Sequence, residues 1–137
     1  MKVLLVSAIN SSHTQQWVTG LVELGVQIGL FSLRDPVDDW YRQLPQVEVL
    51  YAKTPRYIPA LGLLNNAALF RFNRTLRKAI RQFQPDLVHA HNLGNHGLIA
   101  ARVDEHPLLL SAWGSDIFDH PRKSRLHRYA VTYTLGR

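Results

Sequence analysis

The chain has 137 residues, of which 46% are apolar, and carries a formal net charge of +6. This length and composition fit one folded soluble domain over residues 1–137. Because the chain contains no cysteine, a disulfide framework and a zinc–thiolate site are excluded and a reducing compartment is favoured. The apolar run after Lys2 is too short for a signal peptide or a membrane span, so we expect a cytoplasmic protein.

Strands and helices alternate along the predicted chain. Short apolar runs predict buried strands at residues 1–7, 26–33, 47–51, 85–91 and 108–112. Helical spacing predicts helices at about 15–24 and 63–83, a short helix after residue 97, and a final helix in the basic segment after residue 117. This alternation is typical of an α/β fold with an open parallel sheet and helices on both faces.

Three of the predicted strands run into polar or aromatic side chains. His13 follows the first strand, His91 ends the fourth, and Trp113-Gly114-Ser115-Asp116 follows the last. Because the carboxyl ends of parallel strands share one edge of a sheet, these groups are expected to converge there. Together they would offer a stacking surface, backbone amides, a hydroxyl and a carboxylate to a ligand.

Simpler roles compete for the same residues. Ser11 or Ser12 could cap the first helix, or its free amides could hold an anion to which His13 donates. Ser115 or Asp116 could cap the last helix. His91 could bond an acceptor hydroxyl or a neighbouring loop. The remaining alternative for Asp116 is an ion pair with one of three nearby cations, Arg122, Lys123 or Arg125.

Other kinds of chemistry find little support. A metal site needs three or four ligands. The candidates are His89, His91 and His96, with His13 and Asp116 from other strand ends. Histidines in such a pattern are more often hydrogen-bonded, so no metal is expected. The chain lacks the G-x-G-x-x-G fingerprint of a dinucleotide site and the G-x-S-x-G turn of a nucleophilic serine. We therefore assign neither a cofactor nor a catalytic residue.

Taken in order, four sequence features resemble the N-terminal domain of family 4 glycosyltransferases. They are Ser11-Ser12-His13 with Trp17, Gly25-Val26, Pro85-Asp86-Leu87-Val88-His89-Ala90-His91, and Ser111-Ala112-Trp113-Gly114-Ser115-Asp116. The resemblance spans nearly the whole chain. It implies a GT-B fold with two Rossmann-like domains, a nucleotide-sugar donor and retention of anomeric configuration. This chain would be the N-terminal domain, which binds mainly a sugar or lipid-linked acceptor.

The chain departs from that family in three places. Trp113 stands where many members have a histidine that touches the transferred sugar, so that role is not carried over. Asn10-Ser11-Ser12 replaces a Gly-Gly turn, and no Glu-x7-Glu motif of the donor-binding domain is present. The resemblance therefore implies a hexosyltransferase whose donor-binding domain is missing here, so that this chain alone is expected to be inactive.

A strongly basic segment lies in the middle of the chain. No acidic residue occurs between Glu48 and Asp86, and one face of the long helix is basic. The basic residues of that face are Arg71, Arg74, Arg77, Lys78 and Arg81. They predict either an ordinary solvated face or attachment to an anionic membrane. Attachment by this helix to a membrane or nucleic acid also defines the alternative function, a stand-alone Rossmann-like binding module; we favour the glycosyltransferase with no nucleic-acid partner.

Overall fold

A computed structural model describes residues 1–53, 66–104 and 107–137, and, within the helix that begins at Asn66, the side chains from Phe72 onward. Five parallel strands form one sheet in the order β3-β2-β1-β4-β5. They are β1 (Lys2–Val6), β2 (Gln27–Ser32), β3 (Val47–Ala52), β4 (Leu87–His91) and β5 (Leu108–Ser111). The chain order reverses between β1 and β4, which makes that junction the topological switch point.

Helices cover both faces of the sheet. They are α1 (Ser12–Glu23), α2 (Asn66–Phe83), α3 (Asn95–Val103), α4 (Ser115–Phe118), α5 (His120–Lys123) and α6 (Arg125–Leu135), with a 3₁₀ turn at Trp40–Gln43. Val18 of α1 packs with the side chains of β1 and β2 that point to its face. The opposite face packs against α2, α3 and α6. The predicted Rossmann-like α/β sheet is thereby confirmed.

Alternation along β4 assigns its side chains to the two faces. Val88 and Ala90 belong to the core beneath α2 and α3. The odd-numbered His89 and His91 point to the other face, where Trp17 of α1 meets both imidazole rings. Strand pairing therefore brings two buried histidines under α1 and directs the second of them to the switch point.

Two helices of the structure differ from those predicted from the sequence. The first begins at Ser12 rather than near residue 15, because Ser11 already has the extended backbone of an N-cap. The predicted final helix is broken into α4, α5 and α6. Pro121 occupies the first turn of α5, and Ser124 is extended and caps α6 by accepting a hydrogen bond from the His127 amide. The predicted start of the long helix, residues 63–65, lies outside the described residues.

Candidate functional site at the switch point

A cavity of about 250 Å³ opens beside the carboxyl ends of β1 and β4. This is the position at which open α/β sheets bind their ligands. Its described lining comes from the loops after β1, β4 and β5 and from the starts of α3 and α5: Ser7, Ala8, His91, Asn92, Asn95, His96, Trp113 and His120. Two of the six predicted binding residues, His91 and Trp113, line it directly.

His91 is completely buried at the end of β4. Its Nδ1 lies 3.0 Å from Ser7 Oγ, which in turn lies 2.7 Å from Thr14 Oγ1. Its Nε2 is buried without a hydrogen-bond partner among the described residues. Burial, reinforced by the neighbouring His89, His96 and His13, lowers the pKa of His91 from 6.5 to about 3. The ring is therefore neutral near pH 7, and one nitrogen remains unused.

His96 supplies a second buried ring nitrogen. The residue lies in the first turn of α3, and its Nε2 also lacks a hydrogen-bond partner among the described residues. Burial, together with the positive charge of Arg34, lowers the pKa of His96 to about 4. Sequence reasoning considered His96 as a metal ligand and did not place it in the binding site. Its position in the loop and helix after β4 was the available signal.

Trp113, which lines the cavity, is in ring contact with both His13 and His91. The rings of His13 and Trp113 are 5.1 Å apart between centroids, and those of Trp113 and His91 are 5.2 Å apart. Trp113 is half-buried, whereas His13 is exposed in the first turn of α1. The predicted convergence of three strand ends thus brings His13, His91 and Trp113 together on one rim of the sheet.

Asp116 lies at the same edge, yet its side chain faces inward. The residue is completely buried. One carboxylate oxygen accepts the Leu93 amide at 2.7 Å, and the other accepts the Trp113 amide at 2.9 Å. The carboxylate thereby ties the loop after β4 to the loop after β5. This contact holds Trp113 in place and engages both carboxylate oxygens, and Asp116 is not among the described residues that line the cavity.

Gly114 and Ser115 form the turn between Trp113 and α4. Gly114 is the N-cap residue, with a φ of 87° that favours glycine, and no side chain caps this helix. Ser115 is exposed at the first helical position. Neither Ser115 nor Asp116 is therefore an N-cap residue. At α1, Ser11 holds the N-cap position without a side-chain hydrogen bond to the helix.

The loop after β4 is shaped by Asn92 in a left-handed conformation, with a φ of 76°. Asn92 Oδ1 accepts the Gly94 amide at 2.7 Å, and its carbonyl accepts the Gly97 amide at 2.9 Å. A Cβ on Gly94 would lie 2.7 Å from Asn92 Oδ1 and 3.3 Å from the His120 ring. Glycine at this position therefore lets His120 approach the cavity.

Two comparisons with known proteins found similarities to this chain. A family model described as "Glycosyl transferase 4-like" matches residues 2–137. The chain belongs to this glycosyl transferase 4-like family. A solved sucrose-phosphate synthase from Thermosynechococcus elongatus has a similar fold, with a TM-score of 0.67 and 13% sequence identity, over 100% of this chain and 40% of that one. The search of curated proteins returned no match.

Family membership confirms the resemblance inferred from the sequence motifs. It establishes a glycosyltransferase-type domain whose sheet matches the N-terminal half of a glycosyltransferase fold. A stand-alone binding module receives no support from either similarity. The chain spans 40% of the length of the synthase that it resembles.

Within this glycosyl transferase 4-like domain, Asn10 has a structural role. Its side-chain amide donates to the Asp35 carbonyl at 2.8 Å, and its Oδ1 accepts the Val37 amide at 3.0 Å. Asn10 thus connects the loop after β1 to the loop after β2.

No group of three or more His, Asp or Glu side chains in the described ranges could hold a metal ion.

The basic face of the long helix is present in α2. Phe72, Leu76, Ile80 and their neighbours bury the apolar side against the sheet. Four predicted basic residues, Arg74, Arg77, Lys78 and Arg81, are exposed and join Arg102 of α3 around a groove of about 1170 Å³. The side chain of Arg71 lies outside the described residues. No helix in the described parts of the chain is long and apolar enough to cross a membrane.

Proposed function

We propose that this domain is the acceptor-binding half of a retaining, hexosyltransferase-type enzyme that takes its sugar from a nucleotide-sugar donor. The observation that carries the proposal is the switch-point cavity of this glycosyl transferase 4-like domain. Trp113 lines it together with two imidazoles, each with a buried nitrogen that has no partner among the described residues. A flat indole beside hydrogen-bonding groups suits a sugar or a lipid-linked saccharide as the acceptor. The enzyme would act in the cytoplasm.

The residues divide between direct contact and positioning. His91 and Trp113 border the cavity and would touch the acceptor, while His13 stands beside Trp113 at its mouth. Ser115 is exposed at the end of the same turn and could offer its hydroxyl. Gly114 gives that turn its left-handed backbone. Asp116 would act as a positioning residue, since both carboxylate oxygens are engaged by backbone amides.

The donor would be held by a second domain. Family 4 enzymes clamp the nucleotide there, and the resemblance described above carries this division of labour to the present chain. Residues 1–137 would then bind an acceptor and transfer nothing by themselves.

The test measures transfer in a polypeptide that carries a donor-binding domain of this family after residue 137. We expect Trp113→Ala and His91→Asn to lower kcat/KM for the acceptor while the KM for the nucleotide sugar stays unchanged. The matched controls are Trp40→Phe and His127→Asn, both outside the cavity lining. Inverted product configuration, or an effect confined to the donor KM, would contradict the proposal.

We also propose that the exposed basic face of α2 holds the enzyme on an anionic membrane surface, where a lipid-linked acceptor would reside. Four cations of α2 and one of α3 share a single groove. Juxtamembrane Lys and Arg each contribute on the order of 1 kcal/mol to binding such a surface. This placement would make the protein peripheral to the inner face of the membrane.

A further inference from the structure

Two buried nitrogens in the switch-point cavity have no hydrogen-bond partner in the part of the chain that the structure describes. Nε2 of His91 and Nε2 of His96 come from different elements, the end of β4 and the start of α3, yet both residues line the same cavity. Buried polar atoms are nearly always hydrogen-bonded in folded proteins, and an exception calls for an explanation. A ligand that bonds both nitrogens at once would supply the missing partners.

The chemistry of these nitrogens selects the kind of ligand group. A neutral imidazole has one donor and one acceptor nitrogen, and the Nδ1 of His91 is already engaged by Ser7. Its Nε2 can therefore offer a lone pair or an N–H, depending on the tautomer. A hydroxyl satisfies either form because it both donates and accepts, whereas an ionised phosphate oxygen only accepts.

The charge of the lining also disfavours an anionic ligand group. Burial lowers the pKa of His91 to about 3 and of His96 to about 4, so these two rings are neutral near pH 7. Burial also lowers the pKa of His120. Among the described residues that line the cavity, none is a lysine or an arginine. The positive charge of Arg34 acts on His96 from outside the described lining, so a phosphate placed here would lose its water without contacting a counter-charge.

The size of the cavity and the presence of Trp113 in its lining narrow the class of ligand further. A volume of about 250 Å³ falls below the roughly 300–1,000 Å³ of pockets for drug-sized ligands, which suits a single small ring. Trp113 lines the same space and provides an apolar surface on which a ring can rest. We infer that the cavity binds one uncharged, polyhydroxylated ring, a sugar or cyclitol residue, through hydroxyls bonded to Nε2 of His91 and Nε2 of His96.

This inference rests on the proposed acceptor role and specifies the chemistry of the acceptor. The inference distinguishes an acceptor that places a neutral sugar or cyclitol ring in the cavity from an acceptor that places a phosphate there. His96 is then a specificity-determining residue, because it hydrogen-bonds to a second hydroxyl of the ring to which His91 is bonded.

The experiment follows the histidine nitrogens of the ¹⁵N-labelled chain by long-range proton–nitrogen NMR at neutral pH. The probes are glucose, galactose, mannose and myo-inositol, compared with glucose 6-phosphate and inorganic phosphate. We expect at least one neutral ring to shift Nε2 of both His91 and His96 saturably, and both phosphorylated probes to bind more weakly. Replacing one ring by the similarly shaped phenylalanine should weaken binding roughly 3- to 10-fold.

The variants are His91→Phe and His96→Phe, with His127→Phe of α6 as the matched control outside the cavity lining. His96 is half-buried, so its variant provides a second test if His91→Phe fails to fold. The inference is overturned if no neutral ring shifts both nitrogens, or if either phosphorylated probe binds more tightly. Neither outcome depends on the assay of sugar transfer, so a failure of this inference can be distinguished from a failure of the proposed function.

Discussion

At the scale of single residues, the site depends on imidazoles that the fold keeps uncharged. His91, which lines the cavity, has one nitrogen bonded to Ser7 and the other buried without a partner among the described residues, within a cluster that includes His89 and Trp17. Adding a proton there would place a positive charge in a buried aromatic setting. The histidines are thus positioned for hydrogen bonding rather than for ion pairing.

Stability should therefore fall with acidity in a defined pH range. His91 and His96 bind protons in the unfolded chain below about pH 6.5 but in the folded chain only near pH 3 and pH 4. Their contribution is full above pH 6.5 and is lost as the pH falls towards those values, by of order 1 kcal/mol per pH unit for each ring. Urea unfolding at pH 7 and pH 5 measures this slope.

The matched variants are His91→Gln, His96→Gln and His127→Gln. We expect the first two to flatten the slope and the third to leave it unchanged. An equal slope in the wild type and the double variant His91→Gln/His96→Gln would contradict the assignment.

Asp116 should contribute more to stability than an ordinary surface carboxylate. Asp116→Ala would leave two backbone amides, of Leu93 and Trp113, without their acceptor, and an unsatisfied buried donor costs about 1–3 kcal/mol. Asp119→Ala, three residues further on and exposed, should change the free energy of unfolding by less than about 0.5 kcal/mol. Thermal unfolding of both variants checks this, and equal effects would refute the positioning role.

At the scale of elements, the sequence predicted the strands well because they are short apolar runs with two covered faces. It predicted that His13, His91 and Trp113 would meet because parallel strand ends share an edge. It missed the inward turn of Asp116, which depends in part on the amide of Leu93, 23 residues away in the chain. It also missed His96, although the position of this residue just after β4 was a signal that it could reach the cavity.

The basic face of α2 offers a test at this scale. Arg74→Glu with Lys78→Glu should reduce binding to phosphatidylglycerol vesicles at least roughly 10-fold at low salt, because two favourable charges become unfavourable. Arg122→Glu with Lys123→Glu on α5 makes the same change in net charge elsewhere. Co-sedimentation measures the effect. Equal losses in the two double variants would point to net charge alone, and no sedimentation of the wild type would leave α2 as a solvated face.

At the scale of the whole molecule, the part of the chain that the structure describes forms a single sheet with its candidate site at the carboxyl ends of the strands. We expect this chain alone to show no multiple-turnover transfer from nucleotide sugars and only weak nucleotide binding, since the resemblance assigns the donor to a second domain. Product formation is measured with radiolabelled donors and saccharide acceptors. Turnover by the isolated chain would contradict the proposed division of labour, and the same chain joined to a donor-binding domain is the positive control.

The indole between two imidazoles has an optical consequence. Trp113 lies about 5 Å from the rings of both His13 and His91, at the entrance of the cavity. A ring that settles on this indole would displace water from it and shift its fluorescence towards the blue. The difference between the emission spectra of the wild type and Trp113→Phe isolates this signal from those of Trp17 and Trp40. The intrinsic fluorescence of Trp113 can therefore be used to screen ligands of this site without any added label.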